Sequence, residues 1–185
     1  MAKVIFIDRD GVINRDPGGW TPHSYVTKWE EFHFLPGSVE ALKKLNAAGY
    51  EIVVISNQAG VGRGLYTKKA LDEISAKMSG EIERAGARLK KIYYCVHHPD
   101  DGCECRKPKI GLFLQAEKEL SLSAEGRFYI GDSKRDMEAG GAMGMKTILV
   151  LSGKTSLKDL KNWDIKPDYI FDNLLEATEF VIKEK

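Results

Sequence analysis

Short apolar runs recur along the chain, and most of them break off into polar residues. Lys3-Val4-Ile5-Phe6-Ile7 is the first, and it stops abruptly at Asp8-Arg9-Asp10-Gly11-Val12. A run rich in β-branched and aromatic residues, without polar alternation, predicts a strand buried on both faces. Residues 51–55, 91–95, 127–130, 146–151 and 168–171 predict further strands of the same kind. Helical patterns lie between them. Pro36-Gly37-Ser38 opens one with Val39, Leu42 and Leu45 on a single face, and Gly49 closes it. Thr67 caps a second, striped by Leu71, Ile74, Met78 and Ile82 and stopped by Gly86. Leu112, Phe113, Ala116 and Leu120 mark a third, and residues 174–182 form a last amphipathic segment.

Strand–helix alternation predicts an α/β fold, a doubly wound parallel sheet with a helix between successive strands. No repeat, low-complexity tract or linker divides it, so residues 1–185 are expected to form a single domain. Two irregular stretches, 14–35 and 97–111, are too long for plain connections and are expected to carry function.

The chain has 43% apolar and 30% charged residues, the balance of a soluble globular protein. Its formal net charge of +1 gives no bulk attraction to nucleic acid or to an anionic membrane. No apolar run approaches the roughly 20 residues of a membrane span. Asp8 interrupts the first run too early for a secretory signal. Three cysteines are an odd count, which suits a reducing compartment better than a disulfide framework. A cytoplasmic location is expected.

The strand ends carry the candidate chemistry. Carboxylates where a buried strand emerges are costly unless a cation pairs with them. Asp8 and Asp10 follow the first strand, Ser56-Asn57-Gln58 the second, and Gly131-Asp132-Ser133-Lys134-Arg135-Asp136 the fourth. Arg106-Lys107-Pro108 precedes the third helix. In a parallel sheet these ends share one edge and converge. Together they offer a nucleophilic carboxylate, further acids, a hydroxyl beside backbone N–H groups, and an ammonium. Phosphoryl transfer calls for that set, with Mg²⁺ screening the repulsion between carboxylate and phosphate. Asp136 also fits the first turn of a helix, where the dipole favours an acid. Gly60, Gly62 and Gly64 miss the dinucleotide fingerprint because Leu65 stands where another glycine is needed, so a turn ahead of the Thr67 helix is expected.

All three cysteines fall within eleven positions, in the spacing Cys95-x-His97-x5-Cys103-x-Cys105. Four nitrogen and sulfur ligands suit a closed, structural Zn²⁺ site. Such a site would pin the loop that ends at Arg106 and Lys107. His98 competes with His97 for the nitrogen position.

The motifs resemble, in type and in order, those of haloacid-dehalogenase-type phosphatases. The residues concerned are Asp8-x-Asp10-Gly11-Val12, Ser56, Lys107 in Arg-Lys-Pro, and Gly131-Asp132-x-x-x-Asp136. Residues 8–14, 56–64, 95–99 and 103–108 are similar, within that group, to the heptose bisphosphate phosphatases and the related histidinol phosphatases. The resemblance implies a Rossmann-like fold with no separate cap domain and a zinc-pinned loop. It implies Asp8 as nucleophile, Asp10 as acid and base, Ser56 as phosphoryl-oxygen donor and Lys107 as charge-neutralising cation. Mg²⁺ would be held by Asp8, the Asp10 main-chain carbonyl and Asp132, with Asp136 in support. Asn57, Gln58, Arg106, Asp16, Gly18 and Gly19 become substrate-contact candidates. The family pattern favours His97 over His98 as zinc ligand and leaves His98 free to reach substrate.

These expectations point to a Mg²⁺-dependent phosphomonoesterase acting on a small sugar bisphosphate, D-glycero-D-manno-heptose 1,7-bisphosphate above all, with loss of its 7-phosphate. Histidinol phosphate is the alternative substrate. A phospho-accepting signalling module also uses aspartate, Mg²⁺ and lysine, but its phosphorylated aspartate belongs on a later strand. A nucleic-acid 3′-phosphatase needs a basic groove that the near-neutral charge does not suggest. A monomer without nucleic-acid or membrane partners is expected.

Overall fold

The computed structural model describes residues 3–184. Its strands are β1 (Lys3–Ile7), β2 (Tyr50–Asn57), β3 (Lys91–Cys95), β4 (Phe128–Gly131), β5 (Lys146–Val150) and β6 (Tyr169–Phe171). Its α-helices are α1 (Ser38–Ala47), α2 (Lys68–Arg84), α3 (Gly111–Leu120), α4 (Lys134–Ala142) and α5 (Leu174–Lys183). The strands form one sheet in the order β3-β2-β1-β4-β5-β6, and every adjacent pair is parallel.

Strand β1 sits between β2 and β4, with Ile5 opposite Ile52 and Phe6 opposite Tyr129. Its side chains alternate between two cores. Ile5 and Ile7 pack with residues of α1, α2 and α5, while Val4 and Phe6 pack with residues of α3 and α4. Ile5, Phe6 and Ile7 are fully buried. Each such side chain contributes about 1.5–3 kcal/mol of transfer free energy. That packing holds the end of β1 at the middle of the sheet. The chain steps outward from β1 to β2 and β3, then crosses back to β4, so the carboxyl ends of β1 and β4 flank the switch point.

The predicted strands and the four predicted helices are all present, with shifts at their ends. Strand β2 runs on through Ser56 and Asn57 because these residues continue the ladder opposite Tyr94 and Cys95. Helix α4 had no apolar stripe to announce it, since Lys134-Arg135-Asp136-Met137-Glu138-Ala139-Gly140-Gly141-Ala142 is polar and contains glycines. A capping box starts it instead: Asp136 accepts the Ser133 N–H at 3.0 Å, and the Ser133 side chain caps the first turn. The long irregular stretches contain short 3₁₀ turns, at Trp29–Glu31 and Pro99–Asp101, and an isolated antiparallel bridge between Asn14 and Phe34. Among the described residues no further helical or sheet unit is inserted between β1 and α1 or between β2 and α2. None of the described helices is long and apolar enough to cross a membrane.

Candidate active site

The carboxyl ends of β1, β2 and β4 open into a cavity of about 490 Å³. Asp8, Asp10, Ser56, Asn57, Arg106, Lys107, Asp132, Asp136 and Gly18 all line it. The Asp8 N–H donates to the Ile130 carbonyl at 2.9 Å, carrying the β1–β4 ladder one residue past the strand and fixing where Asp8 stands. Gly11 has φ +81°, and a Cβ there would meet Asp132 Oδ2 at 2.3 Å. Only glycine lets the turn after β1 and the end of β4 approach this closely.

Lys107 is the hub of the floor. It is 2% exposed, and its Nζ lies 3.1 Å from Asp8 Oδ1 and 2.6 Å from Asp136 Oδ1. It also donates to the Ile55 carbonyl at 2.9 Å and to the Tyr129 hydroxyl at 2.7 Å. Tyr129 in turn donates to Asp136 Oδ1 at 2.7 Å, and Ser133 Oγ donates to Asp136 Oδ2 at 2.6 Å. Burial pushes the Asp136 carboxyl up, but Lys107 and these donors outweigh it and hold the group below the ordinary value. Both Asp136 oxygens are therefore spoken for. Asn57 faces the backbone of Lys107, with Oδ1 accepting its N–H and Nδ2 donating to its carbonyl, each at 3.1 Å. That reciprocal pair ties the loop carrying the lysine to the end of β2.

Asp8 and Asp132 are placed differently. Burial raises the Asp8 carboxyl to about 6, helped by Asp136 and Asp10 and opposed by Lys107. Burial, with Asp136 and Asp8 beside it, pushes Asp132 well above the carboxylate range. One oxygen from each of Asp8, Asp132 and Asp136 can be chosen so that all lie within 4.8 Å of one another. One buried lysine cannot neutralise three such acids. The unmet negative charge and the all-oxygen donor set fit a hard divalent cation. With Asp136 committed to Lys107, Tyr129 and Ser133, Asp8 and Asp132 are the carboxylates left to hold it.

Asp10 is clamped from several sides. Arg9, 0% exposed, reaches Asp10 Oδ1 through Nε at 3.2 Å and Nη2 at 2.9 Å, and Oδ2 through Nη2 at 3.0 Å. Asn14 Nδ2 donates to Oδ1 at 2.9 Å and Gln58 Nε2 to Oδ2 at 2.7 Å. Burial alone would raise this carboxyl; Arg9 and the amide donors bring it below its ordinary value.

The cysteine loop closes into a cluster beside this floor. Cys95 Sγ lies 3.6 Å from Cys103 Sγ, which is 3.6 Å from Cys105 Sγ, and His97 Nδ1 lies 3.1 Å from Cys105 Sγ and 3.7 Å from Cys95 Sγ. Tetrahedral bonds of about 2.3 Å to sulfur set ligand atoms roughly 3.8 Å apart, so the cluster fits Zn²⁺. His98 is occupied elsewhere: its Nδ1 accepts the Asp100 N–H at 3.2 Å, and it does not line the cavity. Gly62 rests on this loop, where a Cβ would meet the His98 nitrogen at 2.2 Å. The glycine turn is thus a packing surface for the cysteine loop.

Three of the substrate-contact candidates do not line the cavity. Gln58 is buried behind Asp10 and Ser56. Asp16 accepts the Gly18 N–H at 2.8 Å and pairs with Lys154 at 3.2 Å, and Gly19 lies outside the wall. Lys134 and Arg135, from the polar run after β4, also line the cavity, and so does Lys154, which lies outside every motif of the sequence. Lys154 follows β5, and its N–H donates to Asp132 Oδ2 at 2.8 Å. The polar residues after β5 were the available signal, since every strand of a parallel sheet ends on the same edge.

A HAD-hydrolase-like family model matches residues 104–177. A D-glycero-beta-D-manno-heptose-1,7-bisphosphate 7-phosphatase of Pasteurella multocida is 37% identical over 188 residues, covering 98% of this chain and 97% of the relative. Its Helicobacter pylori counterpart (strain J99) is 40% identical over 162 residues, covering 87% and 89%. The crystal structure of a D,D-heptose 1,7-bisphosphate phosphatase from B. bronchiseptica, complexed with magnesium and phosphate, superposes with a TM-score of 0.91 at 32% identity, covering 99% of both chains. The doubly wound sheet, the acidic rim and these likenesses define a haloacid-dehalogenase-like hydrolase, and the chain is a phosphatase. It belongs to the family of the D-glycero-β-D-manno-heptose-1,7-bisphosphate 7-phosphatases.

Proposed function

We propose that residues 1–185 form one Mg²⁺-dependent phosphatase domain that removes the 7-phosphate of D-glycero-β-D-manno-heptose 1,7-bisphosphate through an aspartyl phosphate on Asp8. The observation that carries this is the Lys107 ammonium, 3.1 Å from Asp8 on the cavity floor, in a site with more buried acid than it can neutralise. The relatives' names supply the sugar and its anomer.

Asp8 attacks phosphorus, and the bond from phosphorus to the sugar oxygen breaks. Asp10 gives its proton to that oxygen. The incoming dianion raises the Asp10 carboxyl, which its donors otherwise hold ionised, and so lets it carry that proton. Asp10 then takes a proton from water, and the hydroxide displaces phosphate from Asp8. Ser56 and neighbouring backbone N–H groups hold the phosphoryl oxygens. Lys107 restrains Asp8 and offsets the developing charge. Mg²⁺ held by Asp8, Asp132 and the Asp10 carbonyl would screen the repulsion between nucleophile and phosphate. Zn²⁺ held by Cys95, His97, Cys103 and Cys105 would stiffen the loop that delivers Arg106 and Lys107.

A second phosphate suits the basic side of the cavity. Arg106 lines it, and its buried Nη1 has no hydrogen-bond partner among the described residues. A phosphate is the acceptor such a guanidinium lacks. We further propose a cytoplasmic monomer that feeds heptose to an envelope polysaccharide. The test is turnover of both heptose bisphosphate anomers and histidinol phosphate, side by side with Mg²⁺. The expected result is a kcat/KM for the β anomer at least about 100-fold above that for histidinol phosphate, or about 2.7 kcal/mol of discrimination. A preference for histidinol phosphate overturns the substrate assignment.

A further inference from the structure

Gln58 is 1% exposed and lies behind the cavity wall, yet its amide touches two residues on that wall. Its Nε2 donates to Asp10 Oδ2 at 2.7 Å and to Ser56 Oγ at 3.2 Å. Its Oε1 accepts the Tyr66 hydroxyl at 2.7 Å. Tyr66, also buried, comes from the segment just before Thr67 caps α2.

These partners allow the amide one orientation. In the substrate-free site Asp10 accepts from Arg9 and Asn14 as well, so the face of the amide toward its Oδ2 is N–H. With Nε2 turned to Asp10, Oε1 faces Tyr66, whose hydroxyl donates to it at 2.7 Å and holds that end of the amide. Ser56 has a single hydroxyl hydrogen, and the side of its oxygen facing Gln58 already receives a hydrogen. Its own hydrogen must point elsewhere, and Ser56 lines the cavity. A reversed amide would instead absorb that hydrogen into Oε1.

We propose that Gln58, locked by Tyr66, is a positioning residue that aims the Ser56 hydroxyl hydrogen at the phosphoryl oxygen. This rests on the phosphoryl-binding role given to Ser56 above. Preorganised donors act because they need no reorientation when charge develops. Without the lock, the Ser56 hydroxyl samples rotamers that donate to other acceptors, and some of the enzyme population meets the phosphate with a lone pair.

A double-mutant cycle tests the coupling, with p-nitrophenyl phosphate and Mg²⁺ as the assay so that the sugar assignment is not involved. Gln58→Met keeps length and burial but removes both donors. In the otherwise unchanged enzyme it should lower kcat/KM by about 10- to 100-fold. In a Ser56→Ala background the same change should cost at least about fivefold less. Whatever Gln58 does through Asp10 is present in both backgrounds and cancels. Equal penalties in the two backgrounds overturn the proposal while leaving the role of Ser56 intact. A Ser56→Ala enzyme with unimpaired turnover removes that role, and this inference with it. If Gln58→Met does not fold, Tyr66→Phe, which removes only a hydroxyl, replaces it in the cycle. Its loss should then shrink in the Ser56→Ala background, and an equal loss overturns the proposal.

Discussion

Replacing Lys107 by Met isolates the charge balance of the site. The lysine is 2% exposed and serves Asp8 and Asp136 at 3.1 and 2.6 Å. Its removal leaves buried carboxylates without their cation, a change that costs about 3–5 kcal/mol in comparable buried pairs. For a chain of this size that corresponds to a fall in Tm of roughly 6–20 °C. The pH dependence follows from Asp136. In the native protein Lys107 outweighs burial and holds Asp136 below 3.8, so this pair contributes stability above that value and loses it as pH falls. In the variant the Ser133 and Tyr129 donors stay, but the cation that outweighed burial is gone, so burial raises the carboxyl. The deficit should therefore be largest near pH 7.5 and narrow by about pH 5, as Asp136 takes up a proton. Urea unfolding followed by circular dichroism, with zinc retained and Mg²⁺ omitted, measures it at both values. Lys107→Met/Asp136→Asn should recover at least about half of the lost stability because no orphan charge is left, yet it should remain inactive. A deficit below about 1 kcal/mol near pH 7.5, the size of an exposed pair, would refute the reasoning. So would a deficit that does not change with pH.

Three other outcomes follow from the same geometry. Asp8→Asn should abolish turnover. Without Mg²⁺ it should also stabilise the fold near pH 7.5 by up to about 3 kcal/mol. The sign follows from a carboxyl raised from 3.8 to about 6, which costs the native protein stability as pH climbs through that window. Equal unfolding midpoints for variant and native protein near pH 7.5 would count against the raised value. Freshly purified, unchelated protein should contain about one zinc per chain, and Cys95→Ser should lower both zinc content and turnover. Elemental analysis that finds no zinc would contradict the four-ligand cluster. Arg106→Ala should raise KM for the heptose bisphosphate by about 10- to 100-fold, far more than for p-nitrophenyl phosphate. Equal effects on the two substrates would remove its second-phosphate role.

The sheet and most helices were legible in the chain because burial imposes a pattern on local sequence. The run 3–7 has the composition of a central strand, and Thr67 and Gly86 are helix boundaries wherever they occur in such a pattern. Helix α4 had no apolar stripe to show it, because it is held by a capping box and by its packing on β4 and β5, where Ala139 joins the core of Tyr129. The polar residues at the strand ends were readable as a converging set, since a parallel sheet has only one carboxyl edge. Which member does what was decided in three dimensions. Asp136 could be read as a first-turn helix acid or as a site acid, and the fold gives it both the Ser133 N–H at 3.0 Å and the Lys107 ammonium at 2.6 Å. Gln58 and Asn57 looked alike as candidates for substrate, but one amide is buried against Asp10 and the other is paired with the backbone of Lys107. His97 and His98 are adjacent in sequence, and only the fold of the loop turns the first toward the thiols and the second onto Asp100. Residue type and spacing determine which elements form and which chemical groups reach the sheet edge. For Asp8, Lys107 and Asp136, hydrogen-bond partners, burial and the resulting charge depend on neighbours from about 20 to about 100 positions away along the chain, which no local pattern encodes.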